Sequence, residues 1–293
     1  MSDSTGRGCF GYTVTKSGTN ASVSPLPEVE KTACKPTPLV NVSQRVSDFK
    51  NSGTEIGMSV SLPEASVGLN APIFFDLKVF NRSARKVGFD LGLNSKANLQ
   101  LTIWGPGGGV TTRTLSSGGF GLSGKVSLAP GGAFVEKLLL NEWYDFPQPG
   151  TYHIKATPLE DSSGASGAAN ANRPSTAFSL QIDPRDPGQL ERICQGLADR
   201  AIAATTYEEK EAAANALSYI RDPLAVPSLV RVLQHGSMVE NYAVDGLGRI
   251  GSPAAIEALI AAQNHPDEDV RAAARSMLGA LREGGQGPLE PAD

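Results

Sequence analysis

The sequence lacks the long hydrophobic runs and the basic stretches that mark two large classes of protein. No apolar run in the 293 residues approaches 18 residues, so we expect no transmembrane span. Lysine and arginine total 26 against 30 aspartates and glutamates, and neither half of the chain carries the basic stripe that nucleic-acid binding needs. We therefore expect a protein that binds neither membrane lipid through a span nor nucleic acid.

Motifs of catalysis and of cofactor binding are also scarce. No Gly-x-Ser-x-Gly motif occurs, and no histidine has an acidic residue directly beside it. Residues 119–124 match a dinucleotide-binding fingerprint, but residues 125–128 continue as a strand where that fingerprint needs a helix. His235 and His265 occupy equivalent positions, yet helices pack about 8–10 Å apart, too far for one shared metal ion, so helix capping is expected. We predict a non-catalytic protein without metal or cofactor.

Cysteine is rare, with three residues in the chain. Cys9 and Cys34 flank an N-terminal segment and are a candidate disulfide, whereas Cys194 lies on a predicted helix as a small buried apolar residue. Met1 is followed by polar residues, so the sequence as written shows no signal peptide. The Gly-, Ser- and Thr-rich first half is nevertheless typical of exported proteins. We expect a periplasmic, cell-envelope or secreted location, with a cytoplasmic one as the alternative.

Short alternating apolar runs follow a proline-rich N-terminal arm or linker (residues 1–50), in which one strand is expected at 11–15. The runs cover residues 56–62, 73–80, 99–104, 133–140, 152–157 and 177–182, separated by Pro- and Gly-containing turns. This pattern predicts seven to nine short strands in an antiparallel β-sandwich over residues 51–185. We expect Trp143, Tyr144 and Phe146 to fill the edge of its core.

One local motif sharpens the prediction for this region. Gly150 precedes Tyr152 by two positions, and the apolar Ile154 follows two positions later. The motif resembles the tyrosine corner of immunoglobulin-like domains, in which the phenol bonds back to upstream backbone. The region also resembles bacterial envelope domains and the fold of a bacterial intracellular proteinase inhibitor. This resemblance implies an immunoglobulin-like sandwich but does not specify its function.

A repeat of 30 and then 31 residues dominates the C-terminal third. Leu217, Leu247 and Leu278 fall in register, within Ala-rich amphipathic segments. Such a period is typical of stacked helical hairpins, an α-solenoid that presents a surface to a partner. We predict an α-solenoid over residues 186–285, followed by a flexible tail at 286–293. Its helices are expected at 187–204, 207–220, 224–235, 238–250, 253–264 and 267–283.

Two strings within these repeats carry a family resemblance. Asp222-Pro223 followed by Val226-Pro227, and Val270-Arg271 followed by Ala274 and Leu278, resemble HEAT repeats of the type seen in phycobilisome lyases. The resemblance implies a protein-binding solenoid. Because only scaffold positions match, it places no residue of a lyase activity in this chain.

The candidate binding surface is the polar face of the second helix in each repeat. The apolar residues spaced for the core on these helices include Leu229, Leu233, Leu259 and Ile260. The opposite face carries Arg231, Gln234, Glu257 and Asn264, which we predict as protein-binding residues. The best-supported function is a monomeric adaptor that holds one protein partner. A proteinase inhibitor acting through sandwich loops and a cofactor-attachment factor related to phycobilisome lyases remain as alternatives.

Overall fold

Strands precede helices along the chain, as the change of hydrophobic period predicts. The computed structural model describes residues 14–17, 20–23, 55–90, 96–115, 125–159, 174–236 and 238–283. A first unit, Met1–Ser43, contains β1 (Val14–Ser17) and β2 (Asn20–Val23), which pair antiparallel. All other elements belong to a second unit, Gln44–Asp293. The sequence predicts one strand in the N-terminal segment, whereas two occur among its described residues.

Ten strands open the described part of the second unit, more than the seven to nine expected. They are β3 (Ile56–Ser61), β4 (Ser66–Gly68), β5 (Phe74–Asn81), β6 (Val87–Asp90), β7 (Leu99–Trp104), β8 (Val110–Arg113), β9 (Lys125–Leu128), β10 (Ala133–Leu139), β11 (Gly150–Pro158) and β12 (Thr176–Asp183). The strands predicted from clean alternation are present within a residue or two. The short strands β4, β6 and β8 were missed because three or four residues carry too little periodicity to detect.

The strands form two larger sheets that share one hydrophobic core. One sheet has the order β10-β5-β3 and the other β4-β12-β11-β7-β8, while β6 and β9 pair separately. Alternate side chains of both sheets point into the same core, where Phe75, Leu77, Leu101, Ile154 and Leu180 are fully buried. The prediction of purely antiparallel pairing is wrong at one place, because β4 runs parallel to β12. β4 and β12 are far apart in sequence, so no hairpin turn joins them and forces an antiparallel pair.

The tyrosine corner predicted from the sequence is confirmed by its hydrogen bond. Tyr152 Oη donates to the Gln148 carbonyl at 2.9 Å, four residues upstream. Phe146 is buried against the Tyr152 ring, with the centroids 5.0 Å apart. Trp143 is buried in the same core, and its Nε1 donates to the Leu99 carbonyl at 3.2 Å. The three aromatic residues named by the sequence, Trp143, Tyr144 and Phe146, all pack in or against this core. Tyr152 and Trp143 also satisfy their own polar atoms.

Six helices complete the described chain, and some of them start at a side-chain cap. They are α1 (Pro187–Ala203), α2 (Tyr207–Ser218), α3 (Val226–His235), α4 (Glu240–Ile250), α5 (Pro253–Ala262) and α6 (Glu268–Glu283). Asp186, Thr206 and Ser252 each accept a hydrogen bond from a backbone N–H of the first turn of α1, α2 and α5. A 3-10 helix (Pro223–Ala225) leads into α3. No described helix is both long and apolar enough to cross a bilayer.

The helices pack in two rows. One row contains α2, α4 and α6, and the other contains α1, α3 and α5. The repeated leucines Leu217, Leu247 and Leu278 are buried between the rows, as the repeat predicts. Two glycines of α4 permit close contact within the first row. A Cβ atom on Gly246 would lie 2.9 Å from the Ser218 Cα, and one on Gly248 would overlap Met277.

Candidate functional site

The four residues predicted to bind a partner lie on one row of helices. Arg231 and Gln234 are on α3, Glu257 is on α5 and Asn264 follows α5, and all four are exposed. The ends of the two helices are linked directly, because His265 Nε2 lies 3.0 Å from the Leu233 carbonyl. This histidine therefore caps the neighbouring helix and not its own. We call the surface formed by these residues and Ile260 the α3–α5 face.

Ile260 is the residue on this face for which the sequence prediction is wrong. Its spacing from Ile256 and Leu259 places it with the core residues, yet 51 % of its surface is exposed. On α5 it lies three residues after Glu257 and four before Asn264, so it shares their face and not that of Leu259. The spacing of apolar residues along a helix does not by itself distinguish a polar face that contains one isoleucine from a broad apolar face.

One interaction on the α3–α5 face ties it to the preceding helix. Arg231 Nη2 donates to Asp199 Oδ1 of α1 at 2.6 Å. The two side chains are 49 % and 64 % exposed. An ion pair this open to water contributes little to stability, about 0.2–1 kcal/mol. Both charges therefore remain available to a partner at small cost.

Another large apolar side chain of the helical region is exposed. Met238 follows the C-terminus of α3, is 81 % exposed and has a φ of 71°. Gly236 ends α3 in the left-handed conformation, which turns the chain away from the helix. Met238 therefore adds a second exposed apolar side chain to the helical region.

Sequence reasoning missed a polar junction between the sheets and the helices, formed by Asn70, Arg185 and Asp222. The Asp222 carboxylate, 3 % exposed, accepts two hydrogen bonds from Arg185, at 2.5 and 2.9 Å, and one from Asn70 Nδ2 at 3.1 Å. It also accepts the Leu224 N–H and so caps the 3-10 helix. The Arg185 hydrogen bonds hold the pKa of Asp222 below its ordinary value. In the sequence, Asp222-Pro223 shows only the cap.

A second contact between sheet and helix lies at the turn after β10. Glu142 is nearly buried and accepts hydrogen bonds from Lys96 Nζ at 2.7 Å and from Asn215 Nδ2 of α2 at 2.5 Å. Close by in sequence, Asp145 pairs with Arg221 at 3.0 Å. Burial raises the pKa of the Asp145 carboxyl, although Arg221 and other arginines oppose the shift. These contacts fasten α2 to the sheets.

Polar side chains on α4 continue this network along the first row of helices. Arg249 stacks on the Tyr219 ring, 4.1 Å from its centroid, and donates to Ser218 Oγ at 3.0 Å. Tyr242 Oη donates to Glu211 of α2 at 2.5 Å. Burial raises the pKa of Tyr219, Tyr242 and Asp245. The signal that could have found this group is the spacing of Tyr242, Asp245 and Arg249 on one face of α4.

Some of the remaining residues considered for chemistry lie in the described part of the chain, and others lie outside it. Cys194 is fully buried, as expected, and burial raises the pKa of its thiol to about 12, so it is held as the neutral thiol. Among the described residues, no cluster of three metal-ligating side chains occurs. Cys9 and Cys34, which form the candidate disulfide, and the glycine-rich residues 119–124 lie outside the described residues.

Comparison with known proteins identifies the helical region. The family of HEAT repeats matches residues 194–283. That segment spans α1 from Cys194 through α6 and covers less than half of the chain. HEAT repeats indicate protein–protein interaction in general. Among curated proteins, no match to this sequence was found.

The solved structures that resemble parts of this chain have low TM-scores against it. The CARDB domain of a Pyrococcus furiosus protein, solved in complex with di-metal ions, is 18 % identical, with 46 % of this chain and 97 % of that chain covered and a TM-score of 0.26. Human deoxyhypusine hydroxylase is 19 % identical, with 43 % and 51 % covered and a TM-score of 0.27. A β-glucosidase from Erythrobacter marinus is 20 % identical, with 43 % and 15 % covered and a TM-score of 0.27.

Proposed function

We propose that this protein is a non-catalytic adaptor that binds another protein through the α3–α5 face. The observation that carries the proposal is Ile260, a large apolar side chain that is half exposed in the middle of a polar helix face. A folded chain gains free energy by burying such a side chain, about 1.5–3 kcal/mol for a full burial. A partner that covers Ile260 would supply that gain.

The surroundings of Ile260 support a protein as the occupant. Interfaces between proteins combine an apolar centre with a polar rim that makes hydrogen bonds and ion pairs. Glu257 on α5 and Asn264 just after it flank Ile260, and Arg231 and Gln234 present one positive charge and one amide on α3. The rim thus offers both signs of charge within one face, which suits a mixed polar partner surface and not a uniformly acidic or basic one.

We further propose that the two regions are an immunoglobulin-like sandwich and a HEAT-type α-solenoid. Supporting the first is the tyrosine corner, together with two sheets that share one core. The second is supported by the two rows of helices and the buried leucines of the repeat. In this arrangement the sandwich serves as the anchor for the first helical hairpin, and the later helices present the adaptor surface.

The experiment begins with the whole chain immobilised as bait in a lysate of the source organism. The retained protein is identified, purified and titrated against wild type and against Ile260→Glu by calorimetry. We expect Ile260→Glu to weaken binding about tenfold or more, because it places a charge at the apolar centre of the interface. Unchanged affinity of this variant would refute the role of the α3–α5 face.

Val135→Glu is the matched control. Val135 on β10 is also a large exposed apolar residue, 56 % exposed, but it lies on the sheets. This variant should bind the partner with the affinity of wild type. Equal losses in both variants would mean that the partner responds to charge or to folding and not to the α3–α5 face, and the proposal would be abandoned.

A further inference from the structure

A half-open groove lies between α1 and the segment that leads from β3 through β4 to β5. Its volume is about 410 Å³, within the range of about 300–1,000 Å³ found for ligand sites. Most of its lining is apolar and includes Leu62, Val67, Pro72, Ile193 and Leu197. This groove, which we call the β4–α1 groove, is separate from the α3–α5 face.

Gly196 forms part of the groove wall and leaves space there. It lies inside α1, where glycine is a poor helix former, and a Cβ atom added to it would meet nothing within 4 Å. By contrast, Gly248 of α4 makes room for Met277. Gly279 of α6 stands at the repeat position of Gly248, 31 residues later. Gly196 has neither a close neighbour, as Gly248 has, nor a glycine at a matching repeat position, as Gly279 has. The open space beside it therefore suits an occupant of the groove.

The charged residues of the groove favour an acidic ligand. Arg192 and Arg200 line the α1 side, and Glu64 lies on the other side, which leaves one positive charge in excess. Arg192 makes no hydrogen bond or ion pair with any part of the chain that the structure describes. An exposed guanidinium with free donors next to an apolar floor is suited to a carboxylate that follows an apolar group.

The backbone beside the groove belongs to the edge of a sheet. β4 is the end strand of its sheet, hydrogen-bonded to β12 on one side. Its residues Val67 and Gly68 line the groove. Edge strands recognise extended peptides through their unpaired N–H and C=O groups, while pockets beside them select the side chains.

We propose that the β4–α1 groove binds an extended segment of another protein in which an apolar side chain neighbours an acidic residue. The segment lies along β4, its apolar side chain fills the floor beside Gly196, and its carboxylate pairs with Arg192. The site goes beyond the adaptor surface proposed above, since it uses α1 and β4 and none of the residues of the α3–α5 face.

Random octapeptides displayed on phage and selected on the whole immobilised chain provide the test. Enriched peptides are then synthesised with a fluorescent label and titrated by anisotropy. We expect an aspartate or glutamate within two positions of a large apolar residue in the enriched set. Binding should fall about tenfold or more in Arg192→Glu and in Gly196→Leu, whose side chain occupies the groove.

Gly279→Leu is the matched control, because it also adds a leucine to a helix glycine whose Cβ position is open. It should bind the peptides like wild type, and both leucine variants should remain folded by thermal unfolding. The proposal is overturned if no peptide with neighbouring acidic and apolar residues is enriched, or if Gly196→Leu binds the peptides as well as Gly279→Leu does. It is also overturned if decanoate, an apolar carboxylate without a peptide backbone, binds in the groove and the peptides do not. If Gly196→Leu loses peptide binding but still binds the adaptor partner, the β4–α1 groove and the α3–α5 face are separate sites.

Discussion

At the scale of single residues, the most consequential side chain is Asp222. It combines four acceptor contacts, to Arg185, Asn70 and the Leu224 N–H, in a nearly buried position. Three segments far apart in sequence meet at this carboxylate. Burying a carboxylate with this number of partners costs little free energy while all the partners are present. Removing one group of the set leaves the remaining buried polar groups without their hydrogen bonds.

We predict that Asp222→Asn lowers the free energy of unfolding by about 1–2 kcal/mol at pH 7. Asparagine can still cap the 3-10 helix but no longer carries the charge that faces Arg185. Because the folded-state pKa of Asp222 lies below its ordinary value of 3.8, its contribution is present above that pH and is lost as the pH falls through the folded value. The difference between the variant and wild type should therefore shrink below about pH 4.

Urea unfolding of both proteins between pH 7 and pH 3 measures this difference. Asp199→Asn serves as the control, since Asp199 pairs with Arg231 in an exposed ion pair. It should change stability by no more than about 0.5 kcal/mol at any of these pH values. A constant difference for Asp222→Asn across the whole range would contradict the assignment of the effect to the Asp222 charge.

At the scale of elements, helix spacing in the first row depends on glycines of α4. Gly246 faces the backbone of Ser218 on α2 and Leu229 on α3. A backbone neighbour cannot move aside in the way a flexible side chain can. Leu247 is therefore flanked by two glycines, Gly246 and Gly248, which allow close helix contact although glycine is a poor helix former.

Gly246→Ala should destabilise the protein by about 1–2 kcal/mol, because the strain of an added methyl group outweighs the better helix propensity of alanine. Gly279→Ala is the matched change on α6, where the added Cβ meets nothing. That control should stabilise the protein by up to about 1 kcal/mol. Thermal or chemical unfolding of the two variants gives the comparison, and a stabilised Gly246→Ala would show that α2 and α4 lie farther apart.

At the scale of the molecule, the sheets and the helices share buried residues. Ala71, from the loop between β4 and β5, is buried in the core of the helices, and Val67 packs against both cores. Glu142 and Asp145 of the sheet region bind Asn215 and Arg221 of the helical region. Such a junction transmits unfolding from one region to the other.

We expect residues 44–293 to unfold in a single transition by calorimetry, with equal calorimetric and van't Hoff enthalpies. Combining Asp222→Ala with Glu142→Ala removes the two polar contacts with the most buried carboxylates, leaves only the Asp145–Arg221 pair of those named above, and should split the transition into two. Arg231→Ala, which removes an exposed ion pair of the helices, should leave it single. Two separate transitions in wild type would show that the junction does not couple the regions.

The sequence by itself determined the class and position of most elements. The change from period two to a 30-residue repeat separated sheets from helices, and caps such as Ser252-Pro253 placed helix starts within about two residues of those observed, because these signals are local. The tyrosine corner was readable for the same reason. The phycobilisome-lyase resemblance, the expected cellular location and the predicted binding residues stay predictions.

Only the tertiary structure decided which residues meet across long distances in sequence. Asn70, Arg185 and Asp222 converge only because β4, the β12–α1 connection and the end of α2 pack together. The exposure of Ile260 and the open space beside Gly196 also depend on what lies opposite each residue in the folded chain. Hydrophobic spacing reports the periodicity of one helix, whereas burial is a property of the neighbours that the whole fold supplies.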